Sequence, residues 1–201
     1  MKKIKEIKEI DLLSIYKREQ QHLITAIKNG SDPYHFFSLS TIDNQIASSR
    51  MVVLRNIQLN PFKIFFNCDV RSPKVKQLKE QNECMALFYN QKRKIQMRMK
   101  CMATLNYKNN LSEQIWEKTP LQSRKCYMGD FNPSSTTNEW DPNVPLNYIN
   151  RDPDKNESLK GYKNFVHVEL SIISCDILEL HYDGHVRFMI NNNEKVSFLA
   201  P

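Results

Sequence analysis

The chain has 201 residues, enough for one domain with a buried core or for two small ones. Hydrophobic residues make up 40% and charged residues 25%, with only 4 glycines, which is globular composition and excludes collagen-like or globally disordered chains. The net charge of +7 is uneven: residues 50–108 hold 13 basic and 3 acidic side chains, and such a stretch points to an anionic partner. The longest apolar run, Cys84 to Tyr89, falls far short of the roughly 20 residues a membrane helix needs. Met1 to Ile10 alternates Lys and Glu with Ile and carries no apolar leader, so a cytoplasmic protein is expected. The 5 cysteines form no C-x-x-C pair, which argues against zinc and against a disulfide framework. Cys84, Cys101 and Cys175 sit among apolar residues and read as small core side chains.

In chain order, the apolar spacing from Asp11 to Asn29 predicts an amphipathic helix stopped by Gly30. An extended segment follows from Tyr34 to Ile42, then a turn at Asp43-Asn44 and a strand over 45–57. Asn60-Pro61 breaks that strand, and Phe62 to Cys68 forms another. Ser72-Pro73 marks a helix start, with Ser at the N-cap and Pro at the first helical position, running to about Gln81. Cys84–Asn90 and Lys94–Tyr107 read as a hairpin around Gln91-Lys92-Arg93. Short helices are expected over 111–118 and 121–127. Residues 129–161, rich in Asn, Pro, Asp and Ser, read as a long mobile loop of the kind that often carries function. Strands over 163–172, 175–182 and 185–190 close the chain, with a further one over 195–200. About eight strands joined by tight turns predict a mainly β protein with peripheral helices, in which barrel closure removes the edges.

Four constellations carry possible chemistry. Arg50 and Arg55 bracket an apolar strand, and the two-residue period points them to opposite faces, so they serve different sites if both bind anions. Arg71-Ser72-Pro73-Lys74 stacks cations on a helix N-terminus, an arrangement that suits a phosphate. Lys94, Gln96, Arg98 and Lys100 share one strand face, and the Gln96 amide can both donate to and accept from a heteroaromatic ring. His185 and Arg187 follow an Asp-Gly turn on one face of the next strand. Nucleophile elbow, metal-ligand spacing, Walker A and G-x-G-x-x-G patterns are all absent from the sequence.

Taken in order, these segments resemble the pyridoxamine 5'-phosphate oxidase family of FMN-binding split β-barrels. Arg50-Met51-Val52-Val53-Leu54-Arg55 is similar to the family's R-x-V-L-[LR]-[KR] strand. Phe65-Phe66-Asn67-Cys68-Asp69 through Ser72-Pro73-Lys74 resembles F-[FY]-T-[ND]-x-x-S-R-K. Ile95-Gln96-Met97-Arg98 resembles R-Q-V-R, and His185-Val186-Arg187-Phe188 resembles the closing H-x-R-F. The resemblance covers roughly residues 10–200 and implies a single FMN-binding domain and a homodimer with FMN at the subunit interface. It assigns Arg50 and Lys74 to the FMN phosphate, and the backbone around Val52-Val53 and Asn67-Cys68 to the flavin. Met51 and Ser72 fall inside the same motifs and join the cofactor set. Gln96 is assigned to the ring system, and Arg187 to the flavin, from the other subunit. Arg55 takes the place of a cation for substrate phosphate, and Ser123 and His185 complete the implied substrate contacts.

Three positions depart from the family pattern. Pro73 stands where the family has Arg, Asp183 stands where the closing segment has its first Arg, and Thr119 replaces a substrate-binding Arg. These departures point away from pyridoxamine phosphate as the substrate. The implied activity is that of an FMN-dependent oxidoreductase acting on another small molecule. The alternatives are an FMN storage or redox-sensing protein without turnover, and a nucleic-acid-binding β-barrel using the basic stretch and its interleaved aromatics.

Overall fold

A computed structural model describes residues 11–201. The Lys- and Glu-rich start, read above as lacking a leader, lies outside the described residues. The chain divides into two compact units, the first covering residues up to 66 with 83–103 and 170–201, the second covering 67–82 and 104–169.

The first unit is built on strands β1 (Phe36–Asp43), β2 (Ile46–Val53), β3 (Asn56–Gln58), β4 (Lys63–Asp69), β5 (Glu83–Asn90), β6 (Ile95–Asn106), β7 (Phe165–Glu179), β8 (Val186–Asn191) and β9 (Val196–Phe198), of which β4, β6 and β7 have one end in the second unit. They form one sheet in the order β2-β1-β5-β6-β7-β4-β3, with β8 on β7 and β9 on β8. The first and last strands of that order are neighbours in sequence: only Leu54 and Arg55 separate β2 from β3. A flat sheet would hold them about 29 Å apart, at about 4.8 Å per strand step. The link spans at most about 10 Å. The sheet therefore curls back on itself, without closing the hydrogen-bonded ring, as in a split barrel. The single strand expected over 45–57 becomes two because the chain turns from one end of the order to the other.

Curling gives the sheet an inner and an outer face. The residues of β5 alternate strictly between exposed and buried, and those of β6 do so over 97–103. Phe37, Leu39, Leu54, Phe66, Phe88, Met97, Met99 and Phe188 are fully or almost fully buried. The Phe37 ring stacks on Phe88 with centroids 4.9 Å apart and meets Phe66 edge-on at 6.1 Å. Cys84, Cys101 and Cys175 are free and buried, as their apolar neighbours indicated. Helix α1 (Leu12–Ala26) starts at Asp11, whose carboxylate accepts from the backbone N–H groups of Leu13 and Ser14.

The buried stripe of α1 includes a carboxylate, Glu19, with no exposure. Its Oε2 accepts from the Tyr34 hydroxyl (2.7 Å) and from Arg93 Nη2 (3.0 Å), and its Oε1 accepts from Arg18 Nε (2.8 Å). The Arg93 guanidinium also lies over the Tyr34 ring, 4.8 Å from its centroid. These contacts tie α1 to the β1 entry and to the β5–β6 turn.

In the second unit, α2 (Pro73–Glu80) follows the end of β4, and α3 (Asn110–Lys118), α4 (Leu121–Arg124) and α5 (Lys155–Tyr162) surround Trp116. The Trp116 ring meets those of Tyr127, Tyr162 and Phe165 within 6 Å, with the Arg124 guanidinium 4.9 Å from its centre. The loop expected over 129–161 ends earlier than the sequence reading gave. A capping box between Asp154 and Glu157 opens α5, and a short 3-10 turn forms over Leu146–Tyr148. The base of the remaining loop is pinned. Asn143 exchanges side-chain hydrogen bonds with both backbone groups of Phe131, and a Cβ at Gly129 would lie 2.1 Å from the Asn143 carbonyl oxygen.

Burial pushes the Glu19 carboxyl pKa up, but hydrogen bonds from Tyr34, Arg18 and Arg93 outweigh it and hold the group below the ordinary glutamate range. Its stabilisation is therefore complete above the unfolded-state value and is lost as pH falls through the lower native one. Glu19→Gln is expected to destabilise the chain by about 3 kcal/mol near neutrality, because it leaves Arg93 facing a neutral group. In urea melts, the gap between wild type and variant should shrink as pH falls from about 6 to about 3.5. A pH-independent gap would contradict the charged role of Glu19.

Candidate functional site

The outer face of β2-β1-β5-β6 is read from the register. Met51 opposes Ser38, Ser38 opposes Leu87, and Leu87 opposes Arg98. The next row runs Ser49, Ser40, Met85 and Lys100. Met51 is 62% exposed and Tyr89 47% exposed, and Phe36, Met85 and Leu87 are also exposed. Several large apolar side chains thus share one solvent-facing sheet surface, a pattern that marks an interaction site. Lys100 pairs with Glu83 across the hairpin at 3.2 Å.

Arg50 lies on the other face, in the row of Leu39. Its Nη1 donates to Thr41 Oγ1 (2.5 Å) and to the Leu39 carbonyl (3.3 Å), and its Nη2 donates to Ser48 Oγ (2.7 Å). Val52 is buried on this inner face, while Met51 and Val53 face outward. Arg55 lies beyond the strand. Its backbone N–H donates to the Phe65 carbonyl (2.8 Å), and its side chain is exposed, with no ion-pair partner among the described residues.

The outer face continues through β6 to β7 and β8 with a charged cluster. Asp176 Oδ1 accepts from Arg187 Nε (3.1 Å), and Oδ2 accepts from Arg187 Nη2 (2.9 Å). Arg98 Nη2 donates to the same Oδ2. The Arg187 Nη1 donates to the Ala200 carbonyl (3.2 Å). Burial raises the Asp176 pKa, but the two arginines outweigh it and hold the carboxylate ionised. Gln96 is half-buried two residues before Arg98, on the same strand face. His185 is exposed ahead of β8, and its Nδ1 accepts from the His181 backbone N–H (3.3 Å), which places the ring proton on Nε2.

The second unit holds the remaining expected residues. Asn67 Oδ1 accepts from Nδ1 of buried His167 (2.7 Å), whose pKa is lowered by burial, so the imidazole is neutral. Cys68 is buried. Ser72 sits at the N-cap position of α2, yet its hydroxyl donates to the Asp69 carbonyl (2.6 Å) instead of capping the helix. Lys74 lies half-buried in the first turn of α2, with no ion-pair partner among the described residues. Arg71 is engaged by Asp69, at 2.7 Å from Nη2 to Oδ2. Ser123 lies in α4, and the Thr119 hydroxyl donates to the Ile115 carbonyl (2.8 Å).

Within the first unit, then, Gln96 and Arg187 share the outer face with Met51 and Val53, whereas Arg50 and Val52 occupy the inner one. Asn67, Cys68, Ser72 and Lys74 follow one another at the end of β4 and the start of α2. Sequence reading missed Asp176 as the acid that organises this face. An aspartate inside Ile172-Ile173-Ser174-Cys175-Asp176-Ile177-Leu178 was the available signal, since a charge in an apolar strand calls for a partner. The basic stretch is not a bare cationic groove: Arg93, Arg98 and Lys100 pair with acids, and Phe65, Phe66 and Phe88 are buried. Among the described residues no cluster of three His, Cys, Asp or Glu side chains could hold a metal, and no helix is long and apolar enough to cross a membrane.

Residues 16–106 match the family model for the pyridoxamine 5'-phosphate oxidase FMN-binding domain. No curated protein matches the chain by sequence. Among solved structures, a pyridoxamine 5'-phosphate oxidase-related FMN binding protein from Nostoc punctiforme PCC 73102 superposes with a TM-score of 0.72 at 18% identity, over 92% of this chain and 97% of that one. PhzG from Burkholderia lata 383, solved with tetrahydrophenazine-1-carboxylic acid, gives 0.65 at 16% identity, over 94% and 92%. Campylobacter jejuni ChuZ gives 0.57 at 10% identity, over 96% of this chain and 65% of that one. At these identities the likeness to solved structures concerns the fold. Residues 16–106 are thus similar in sequence to the pyridoxamine 5'-phosphate oxidase FMN-binding domain, and nearly the whole chain is similar in fold to the Nostoc protein.

Proposed function

We propose that the chain binds FMN as a homodimer and acts as an FMN-dependent oxidoreductase on a small substrate other than pyridoxamine phosphate. The observation that carries this reading is the outer sheet face, on which Gln96 and Arg98 lie opposite exposed Tyr89 and Leu87 within the FMN-binding family match, with Met51 farther along the same face and Arg187 on it two strands beyond β6. The donor set suits the group. A flavin offers a flat apolar benzenoid end, a hydrogen-bonding pyrimidine end and a phosphate, and these residues supply apolar surface, an amide and guanidinium groups.

The opposed faces support the homodimer. Arg50 projects inward from edge strand β2, and Gln96 and Arg187 project outward from strands farther along the sheet. One ligand can draw on both sets if each comes from a different copy. A second copy would also cover the apolar outer face.

When bound, FMN would supply the redox chemistry by accepting hydride from the substrate. The chain's part is to bind and orient. Arg50, braced by Thr41 and Ser48, would meet the phosphate; Lys74, at the start of α2 in the second unit, is by itself a further candidate cation. Met51 and Val53 would exclude water from the ring, and Gln96 would fix its polar edge. Exposed Arg55, with no ion-pair partner among the described residues, is the proposed cation for an anionic substrate, with His185 of the same unit as a further candidate; Ser123 is a separate candidate in the second unit. The Thr119 hydroxyl is engaged by its own helix and carries no charge for a substrate phosphate, which supports a substrate other than pyridoxamine phosphate.

Purified protein mixed with FMN and desalted is expected to retain flavin absorbance, and loss of all flavin would overturn the reading. By fluorescence titration, Arg50→Ala should raise the FMN Kd at least about tenfold, the cost of a charge-assisted hydrogen bond. Arg55→Ala should leave it within about twofold, since a surface change outside the cofactor contacts is worth little. Equal loss in both variants would refute their separate roles. Light scattering should give twice the chain mass, and a monomer that holds FMN would contradict the shared site.

A further inference from the structure

Arg98, Asp176 and Arg187 form a three-member cluster in which one carboxylate serves two guanidinium groups. The sharing is unequal. Arg187 gives Asp176 its Nε and Nη2 as a two-pronged fork and spends Nη1 on the Ala200 carbonyl. Arg98 gives Asp176 only Nη2, and its side chain is 44% exposed. A guanidinium has five N–H donors in a rigid plane. Arg187 is thus fixed by three of its nitrogens, whereas Arg98 is oriented through one and keeps donors directed elsewhere. The cluster carries one positive charge in excess, and the geometry puts that charge at Arg98.

Arg98 also has the placement for a planar acceptor. Gln96 sits two residues earlier on the same strand face, about 6.8 Å away along the strand. An amide and a guanidinium at that spacing match the edge of a heterocycle carrying alternating carbonyl and ring nitrogen groups. We infer that Arg98 is a ligand-binding residue for the pyrimidine edge of the flavin, and that Asp176 is the positioning residue that aims it while anchoring Arg187. This rests on the FMN reading above. It gives Asp176 a role opposite to the one its charge alone would have, since a carboxylate near an anionic ligand should otherwise weaken binding.

The test compares FMN with riboflavin, which has the ring but no phosphate, by fluorescence titration of the full chain. Arg98→Met is expected to raise the Kd for both flavins alike, by about tenfold to a hundredfold. A loss confined to FMN would put the phosphate at Arg98 and overturn the ring assignment. Asp176→Asn makes the cluster one charge more positive. If Asp176 only repels, the variant binds FMN more tightly; if it positions Arg98, the variant binds both flavins at least about fivefold more weakly, and Asp176→Glu restores most of the affinity.

A measurement without flavin checks the clamp itself. In nitrogen-edited NMR, the Arg187 Nε–H should exchange slowly in the wild type and quickly in Asp176→Asn, with the Arg98 signal fast in both. Equal protection of both arginines in the wild type would overturn the inequality on which the inference stands. Wild type that binds neither flavin would remove the FMN reading and Arg98's role with it. Wild type that binds both, with Arg98→Met unchanged, would remove this inference alone.

Discussion

The two-residue link at Leu54-Arg55 is the constraint on which the first unit depends. It joins the strands at the two ends of the sheet order, so the sheet has to curl. Curling is what makes the faces unequal. The inner one collects Phe37, Phe66, Phe88 and Met99 at or near zero exposure, and the outer one is left with methionines, a tyrosine and charges. Neither side chain of the link is interchangeable with the other. Leu54 is fully buried, and Arg55, one residue later, is exposed while its backbone bonds to Phe65. The alternation that makes a strand therefore also delivers a chain reversal, a core residue and a surface cation within a few residues.

Several cations of the basic stretch are met by an acid in the fold. The stretch from 50 to 108 looks like an open basic surface when read along the chain. In the fold, Arg71 is bound by Asp69, Arg93 by Glu19, Arg98 by Asp176 and Lys100 by Glu83. Among the described residues of this stretch, Arg55 and Lys74 are two of the cations that lack such an acid. A cation without an acid costs less to bring to an anion than one that must first break a pair. The distribution of pairs thus says more about where an anion is received than the count of lysines and arginines does.

Much of the architecture was legible because its signals are local. The alternation in 84–90 and 94–107 marks β5 and β6, and Ser72-Pro73 marks the start of α2. What escaped depends on distant partners. Strand β7 runs unbroken from Phe165 to Glu179, where the sequence reading ended one strand at 172 and began another at 175; Asp176 is held in it by Arg98 from 78 residues earlier. The opening of α5 did have a local signal, Asp154 followed by Glu157, submerged in a segment rich in loop-forming residues. For the candidate site, spacing separated Arg50 from Arg55 and placed Gln96 beside Arg98. Only the register could show that Arg50 rests on Thr41 and Ser48, and that Arg187 is shared with an acid.

The trio of buried Glu19 and Tyr34 with half-buried Arg93 constrains how this sequence can vary. The carboxylate accepts hydrogen bonds from the phenol hydroxyl and from the guanidinium, and the guanidinium also rests on the phenol ring. Exchange of any one alone leaves the other two mismatched, whereas joint replacement by apolar residues of similar volume can be neutral. The three positions should therefore drift as a set over evolutionary time. A chimera that takes its first helix from one homologue and its β-hairpin from another should fold well only when both donors use the same solution at these positions.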